Sequence, residues 1–106
     1  MILLHVLTKS ENQAEEIADL LIEQKLILSA MIIDRIKVRE KSVDGGAMET
    51  SVEYLLMGKT KALLFSTIDE RLRLRYPKNL PTIYAVPIVG MDWEQADELV
   101  EKTAKV

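Results

Sequence analysis

Cysteine is absent from this 106-residue chain, which excludes disulfides, thiolate metal sites and thiol nucleophiles at once. Histidine occurs once, at His5, so acid or base chemistry would fall largely to Glu, Asp, Lys or Tyr, and no spacing singles out a pair of them. A basic excess is also missing. The net charge of −3 argues against a general nucleic-acid binder, whose affinity for phosphates needs positive charge on at least one face. No apolar run approaches the roughly 20 residues of a membrane span, and Met1-Ile2-Leu3-Leu4-His5 carries neither a basic leader nor a small-residue cleavage site. A soluble cytoplasmic protein is the expectation. Linkers, repeats and low-complexity tracts are lacking too, so residues 1–106 are read as a single domain. Such a chain buries roughly two-thirds of its unfolded surface and folds without staples.

What the chain does have is a long ribbon from Lys25 to Met57, two runs of strand-forming residues folded back around Asp44-Gly45-Gly46. A three-residue loop there, with glycine at the position of positive φ, sets Val43 against Ala47, Lys41 against Glu49 and Lys37 against Glu53. Val38 then meets Val52 and Ile36 meets Tyr54, so charged and apolar groups each find suitable partners across the strands. A two-residue loop would put Lys41 opposite Met48 and Lys37 opposite Val52. One residue of slip turns every side chain to the other face, and charge pairing favours the three-residue loop.

Around this ribbon the chain reads as alternating strands and helices. Ile2 to Leu7 is a short apolar strand buried on both faces, in which His5 is a hydrogen-bonded core residue. Ser10 with Gln13 has capping-box spacing, and Ala14, Ile17, Ala18 and Leu21 mark the apolar stripe of a helix. Lys25 to Ile33 is apolar at both parities, and beyond it Arg35, Lys37, Arg39 and Lys41 project to one side, neutralised by Glu49 and Glu53. Thr60 caps a second helix whose buried stripe is Leu64, Phe65, Ile68 and Leu72, and which ends at Tyr76 because a proline follows. Thr82 to Val89 is a strand that Pro87 confines to an edge or a bulge. Asp92 with Gln95 then opens a last helix with Trp93, Ala96, Leu99, Val100 and Thr103 on one face, where Trp93 closes a core or a subunit contact.

Two right-handed strand-helix-strand crossovers sharing a central hairpin give an α+β, ferredoxin-like split βαβ sandwich, β-α-β-β-α-β plus a C-terminal helix, with an antiparallel sheet. Both helices lie on one sheet face. The strands nevertheless carry apolar residues at both parities, and exposing them would forgo on the order of 1.5 to 3 kcal/mol per side chain. A second copy of the chain is therefore expected to cover the other face.

This order of elements resembles the CutA family of divalent-cation tolerance proteins. Gln24-Lys25-Leu26-Ile27-Leu28-Ser29-Ala30 is similar to the family's helix-to-strand passage, Glu53 and Lys59-Thr60 to its third strand and the start of its second helix. Tyr76-Pro77-Lys78-Asn79-Leu80-Pro81 is similar to its His-Pro-Tyr-x-x-Pro loop. The resemblance implies a homotrimer of ferredoxin-like subunits and a role in divalent-cation, chiefly copper, tolerance. It also implies that Ser29 stands where the family commonly has cysteine and Tyr76 where it has histidine, so the usual metal ligands are lost and no metal site or cofactor is expected. Hydroxyl and phenol oxygens are poor ligands for soft and borderline metals. The expected role is binding or scaffolding without catalysis, with Ser29, Glu53, Lys59 and Tyr76 lining an intersubunit cleft for a small molecule or a weakly held divalent cation. The alternative is a sensor like the trimeric PII signalling proteins, which bind anionic ligands between subunits. Neither nucleic acid nor membrane is an expected partner.

Overall fold

The computed structural model describes all 106 residues, Met1–Val106. The elements run β1 (Ile2–Thr8), α1 (Glu11–Glu23), β2 (Met31–Lys41), β3 (Met48–Thr60), α2 (Phe65–Arg75), β4 (Thr82–Pro87) and α3 (Trp93–Lys102), with a 3-10 turn at Ala62–Leu64 leading into α2. The strands form one antiparallel sheet in the order β2-β3-β1-β4, which is the ferredoxin-like arrangement expected from the sequence. Alternation decides what each face of this sheet meets. Leu4, Val6 and Leu56 point to one side and are fully buried against Ile17 and Leu21 of α1 and Ile68 and Leu72 of α2. Leu3, His5 and Leu7 of β1 point to the other side with Leu55, Met57, Met31, Ile33, Tyr84 and Val86, and no helix covers them.

The first crossover departs from the expected path. Lys25 to Ala30 is not strand, and β2 begins only at Met31. Lys25 takes the left-handed conformation, φ 59°, just past the end of α1, and its amide bonds Ile22 O at 3.0 Å while that of Leu26 bonds Leu21 O at 2.8 Å. This pair of bonds is the Schellman closure of a helix, here with lysine where glycine is usual. It turns Leu26 and Ile27 into the core, where they are 3% and 1% exposed. Their apolar character therefore reflects a buried connection. Thr60 also differs from expectation: it ends β3 rather than capping α2, and its hydroxyl donates to Leu26 O at 2.6 Å, fixing the same connection. Of the two capping boxes only the serine and aspartate halves form. Ser10 and Asp92 accept from the amides of Gln13 and Gln95, whereas the Gln13 side chain reaches the hydroxyl of Thr8 and the carbonyl of Asn79.

The ribbon adopts the register that charge pairing disfavoured. Lys41 lies opposite Met48 and Lys37 opposite Val52. The tip is held by local side-chain bonds: Ser42 Oγ donates to Asp44 Oδ1, the Ala47 amide donates to Ser42 Oγ, and Gly45 supplies φ 76° after the turn closed by its amide on Ser42 O. The Ser42 hydroxyl and the Gly46 amide also hold the Asp44 carboxyl below its ordinary range. Several short-range bonds outweigh two solvent-exposed charge pairs, each of which is worth about 0.2–1 kcal/mol. A bulge then shifts the pairing again. Asp34 and Arg35 together stand against Tyr54, between the Ile33–Leu55 and Ile36–Glu53 pairs, with Arg35 at φ 58°. Lys37, Arg39 and Lys41 do share a side, but Glu49 and Glu53 face the other one, and Arg39 bonds Thr50 instead.

Elsewhere the sequence reading holds. α2 ends at the Tyr76 cap, β4 is an edge strand that stops at Pro87, and Ala14, Ile17, Ala18 and Leu21 are the buried stripe of α1. α3 is a partial exception, since Leu99 and Thr103 are buried while Trp93 is 71% exposed. Trp93 thus closes no core within the chain.

Gly58 shows how closely the connection packs on β3. A Cβ there would stand 3.0 Å from Ile27 Cδ1 and 3.2 Å from the Ser29 carbonyl oxygen, whereas one at Gly90 would meet nothing within 4 Å. Gly58→Ala is expected to destabilise the fold by about 1–3 kcal/mol through overpacking, with Gly90→Ala close to neutral, as read from urea unfolding midpoints.

Candidate functional site

Where β1 ends, the N-terminus of α1, the loop before β4 and the middle of β3 converge on a cleft of about 350 Å³. Its floor is built by the capping residues: Ser10 N donates to Thr8 Oγ1 at 3.4 Å, and Gln13 Nε2 donates to Asn79 O at 3.0 Å, tying the loop to α1. Thr8 is 2% exposed, so the cleft wall is a buried hydroxyl rather than a solvated one. Lys9 and Glu53 both line the cleft. The Glu53 side chain is only 6% exposed, and its one hydrogen bond is from Ser51 Oγ to Oε2 at 2.9 Å. No lysine, arginine or histidine pairs with it, which makes Glu53 the most conspicuous polar group in the chain.

The other residues expected in the site lie elsewhere in the subunit. Ser29 and Lys59 come together at the opposite end of β3, sharing a small cleft of about 130 Å³ with Met91, Gln95 and Glu98 at the start of α3. Lys59 and Glu53 are six residues apart on one strand, hence about 20 Å from each other along it. Tyr76 is 6% exposed and belongs to the core beneath α1 and α2, where its hydroxyl donates to Glu16 Oε1 at 3.0 Å. Burial and this bond push the phenol up to about 12. A single chain therefore brings Ser29 and Lys59 together and keeps Glu53 and Tyr76 apart from them.

His5 is hydrogen-bonded as expected, with Nδ1 3.0 Å from Tyr84 Oη, but it sits on the uncovered face of the sheet. Its Nε2 is buried without a partner. Sequence reasoning missed the cleft at the end of β1 apart from Glu53, because Thr8, Lys9, Gln13 and Asn79 are brought together only by the return of the α2–β4 loop. The Ser10–Gln13 capping signal was the one local hint.

The family model for CutA1 divalent ion tolerance protein matches residues 2–100. The chain belongs to this family. The CutA1 fold is shared by solved structures along nearly the whole length. The divalent cation tolerance protein of Thermus thermophilus is 28% identical with a TM-score of 0.85, covering 98% of this chain and 100% of its own. A CutA1 from Oryza sativa is 23% identical with a TM-score of 0.88, covering 99% and 94%. A protein of Archaeoglobus fulgidus described as a periplasmic divalent cation tolerance protein is 26% identical with a TM-score of 0.83, covering 96% and 98%. A search of curated proteins found no match.

The CutA1 association with divalent cations raises the question of ligands in this subunit. No three His, Cys, Asp or Glu side chains lie close enough together to hold a metal ion. Cysteine is absent, the single imidazole is engaged through Nδ1 with Tyr84, and Glu53 stands without a second carboxylate in its cleft. Soft and borderline divalent ions prefer thiolate, thioether or imidazole, and of these donors the chain places His5 beside Met57 and Met31 on the uncovered face.

Tyr76 offers a direct check on this part of the structure. Its folded value of about 12 exceeds the ordinary 10.0, so the stability it adds is fully present below pH 10 and is lost as pH rises toward 12. The difference in ultraviolet phenolate absorbance between the native chain and Tyr76→Phe is expected to titrate with a midpoint near 12, and the variant to lose less stability over that range.

Proposed function

We propose that this CutA1 chain works as a homotrimeric binding or scaffold protein, linked to divalent-cation tolerance without a metal centre inside each subunit. The uncovered sheet face carries the assembly part of this reading. Met31 and Ile33 are 56% and 44% exposed beside half-buried Leu3, Leu7, Leu55 and Met57, a contiguous apolar surface of the kind that a second copy covers. The ribbon supports it independently. β1 pairs β3 only from Tyr54 to Thr60, so Ile36–Lys41 and Met48–Glu53 project as a two-stranded arm with free edges, and the molecule is 49 Å long for a radius of gyration of 15.0 Å. A two-stranded hairpin is marginal by itself in water, and neighbouring copies would supply its pairing. Trp93 and Val89, 71% and 101% exposed, are further apolar groups for such contacts.

In this assembly the Glu53 cleft and the Ser29–Lys59 cleft, both open at the subunit surface, are completed by neighbouring chains. Tyr76 serves the core beneath them. A binding role is preferred to a catalytic one because family membership supports binding and no nucleophile with an adjacent base is hydrogen-bonded in either cleft. Lys9 in one cleft and Lys59 in the other favour the second reading, a sensor of an anionic small molecule in the manner of PII proteins. No helix is long and apolar enough to cross a membrane. The cytoplasm is the proposed location, and fractionation of cells expressing the chain tests it.

Sedimentation equilibrium is expected to give about three times the 12.0 kDa chain mass at micromolar concentration. Ile33→Lys, which puts a charge on the uncovered face, should release a folded monomer with unchanged far-ultraviolet circular dichroism; a well-folded monomer of the unaltered chain would overturn the proposal. Calorimetric titration with copper, zinc and nickel salts is expected to show no saturable micromolar binding, and one such site per chain would restore a metal centre.

A further inference from the structure

The cleft at the end of β1 is bipolar. Glu53 lies on one wall, 6% exposed, with Oε2 taken by Ser51 and Oε1 bonded to nothing. No Lys, Arg or His nitrogen lies within 4.0 Å of either oxygen, since the ion pairs of this chain are Arg73–Asp69, Arg75–Glu16 and Lys102–Glu98. Oε1 is not among the polar atoms sealed inside the protein, and Glu53 lines the cleft. Lys9 and the Ser10 cap of the 13-residue helix α1 line the same cleft, so a lysine and the positive end of a helix dipole border it. Its walls also present hydroxyls and amides, from Thr8, Gln13, Asn79 and Thr82.

Each charge limits the occupant. A buried carboxylate that keeps one oxygen free calls for a positively charged donor, because an unpaired buried charge costs far more than a paired one. A divalent cation is disfavoured, since a single carboxylate would have to hold it against both Lys9 and the helix dipole. A simple anion meets the repulsion of Glu53. A molecule with an ammonium and a carboxylate satisfies both ends, and a cleft of about 350 Å³ is in the size range of small-ligand sites.

Resting on the reading of this chain as a cleft-binding protein, we propose that the cleft is a site for a small zwitterion of the α-amino acid class, with its ammonium on Glu53 Oε1 and its carboxylate toward Lys9 and the N-terminus of α1. The ligand class follows from the two charges, and the polar walls favour a short polar side chain.

Calorimetric titration of the purified chain with each of the common amino acids, with serinamide and N-acetylserine as capped forms, tests this. Saturable binding of at least one polar amino acid at one site per chain is expected. Removing either charge from the ligand should weaken binding about tenfold or more. Glu53→Gln should abolish binding, and Lys9→Met, a change at an exposed position, should weaken the amino acid more than serinamide. Absence of saturable binding across the panel overturns the proposal, as does binding that survives both substitutions or N-acetylation. A loss of assembly mass in Glu53→Gln with no binding by the unaltered chain would assign the carboxylate to a lysine or arginine of a neighbouring copy and likewise overturn it. Mass measured on the same samples separates the two readings: a trimer that binds no amino acid overturns only the ligand, and a monomer that binds overturns only the assembly.

Discussion

β3 is hydrogen-bonded on both edges only in its middle, about Tyr54 to Met57, and the consequences of that mismatch run through the whole subunit. From Tyr54 to Met57 it is the central strand between β1 and β2, from Gly58 to Thr60 it keeps only β1, and its inward Leu56 lies in the core with α1 and α2. From Met48 to Glu53 it keeps only β2. The change falls where the bulge at Asp34–Arg35 shifts β2 by one residue, so the body of the sheet and the projecting arm present opposite parities of β2 to a given side. Glu53 is the first residue beyond the end of β1, which explains how a carboxylate on a strand can be nearly buried and still reach a cleft.

Half of this sheet is finished by the chain itself. α1 and α2 close one face with Ile17, Leu21, Ile68 and Leu72, and the Schellman turn at Lys25 drops Leu26 and Ile27 into the same core. The opposite face has no such cover, and His5 upon it, bonded to Tyr84 through Nδ1, leaves Nε2 without a partner. α3 does not help, because it stands at the edge with a single fully buried apolar residue, Leu99. The fold thus directs its strongest unsatisfied demands outward: an apolar face, an unpaired arm and an unpartnered carboxylate.

Ser29 and Tyr76, where the resemblance places the family's cysteine and histidine, stand in different surroundings. Ser29 is exposed and shares a cleft with Lys59, so its replacement leaves a surface free to change. The Tyr76 phenol is part of the core and held by Glu16. The family's chemistry therefore does not transfer from fold alone, because function resides in the particular side chains a fold carries.

Much of the architecture was legible because it depends on periodicity. A stripe every three or four residues gave α1 and α2, alternation gave the strands, and proline at positions 77 and 87 marked their ends. Ser10 and Asp92 announced the helix starts through bonds to amides three residues on. Misreadings arose where short-range hydrogen bonds competed with these patterns. The Ser42–Asp44 turn outweighed two exposed charge pairs and set the ribbon register, and lysine took a left-handed position that composition does not reveal. The Leu26-Ile27 run looks like strand or buried loop alike, since hydrophobicity records burial and not conformation. Sequence by itself determined the elements, the topology and the surplus of apolar surface, all of which follow from side-chain spacing along the chain. Only the tertiary structure decided which polar groups meet. Glu53, Lys9 and Asn79 share a cleft because three distant segments fold to one sheet end, and no local pattern encodes that convergence.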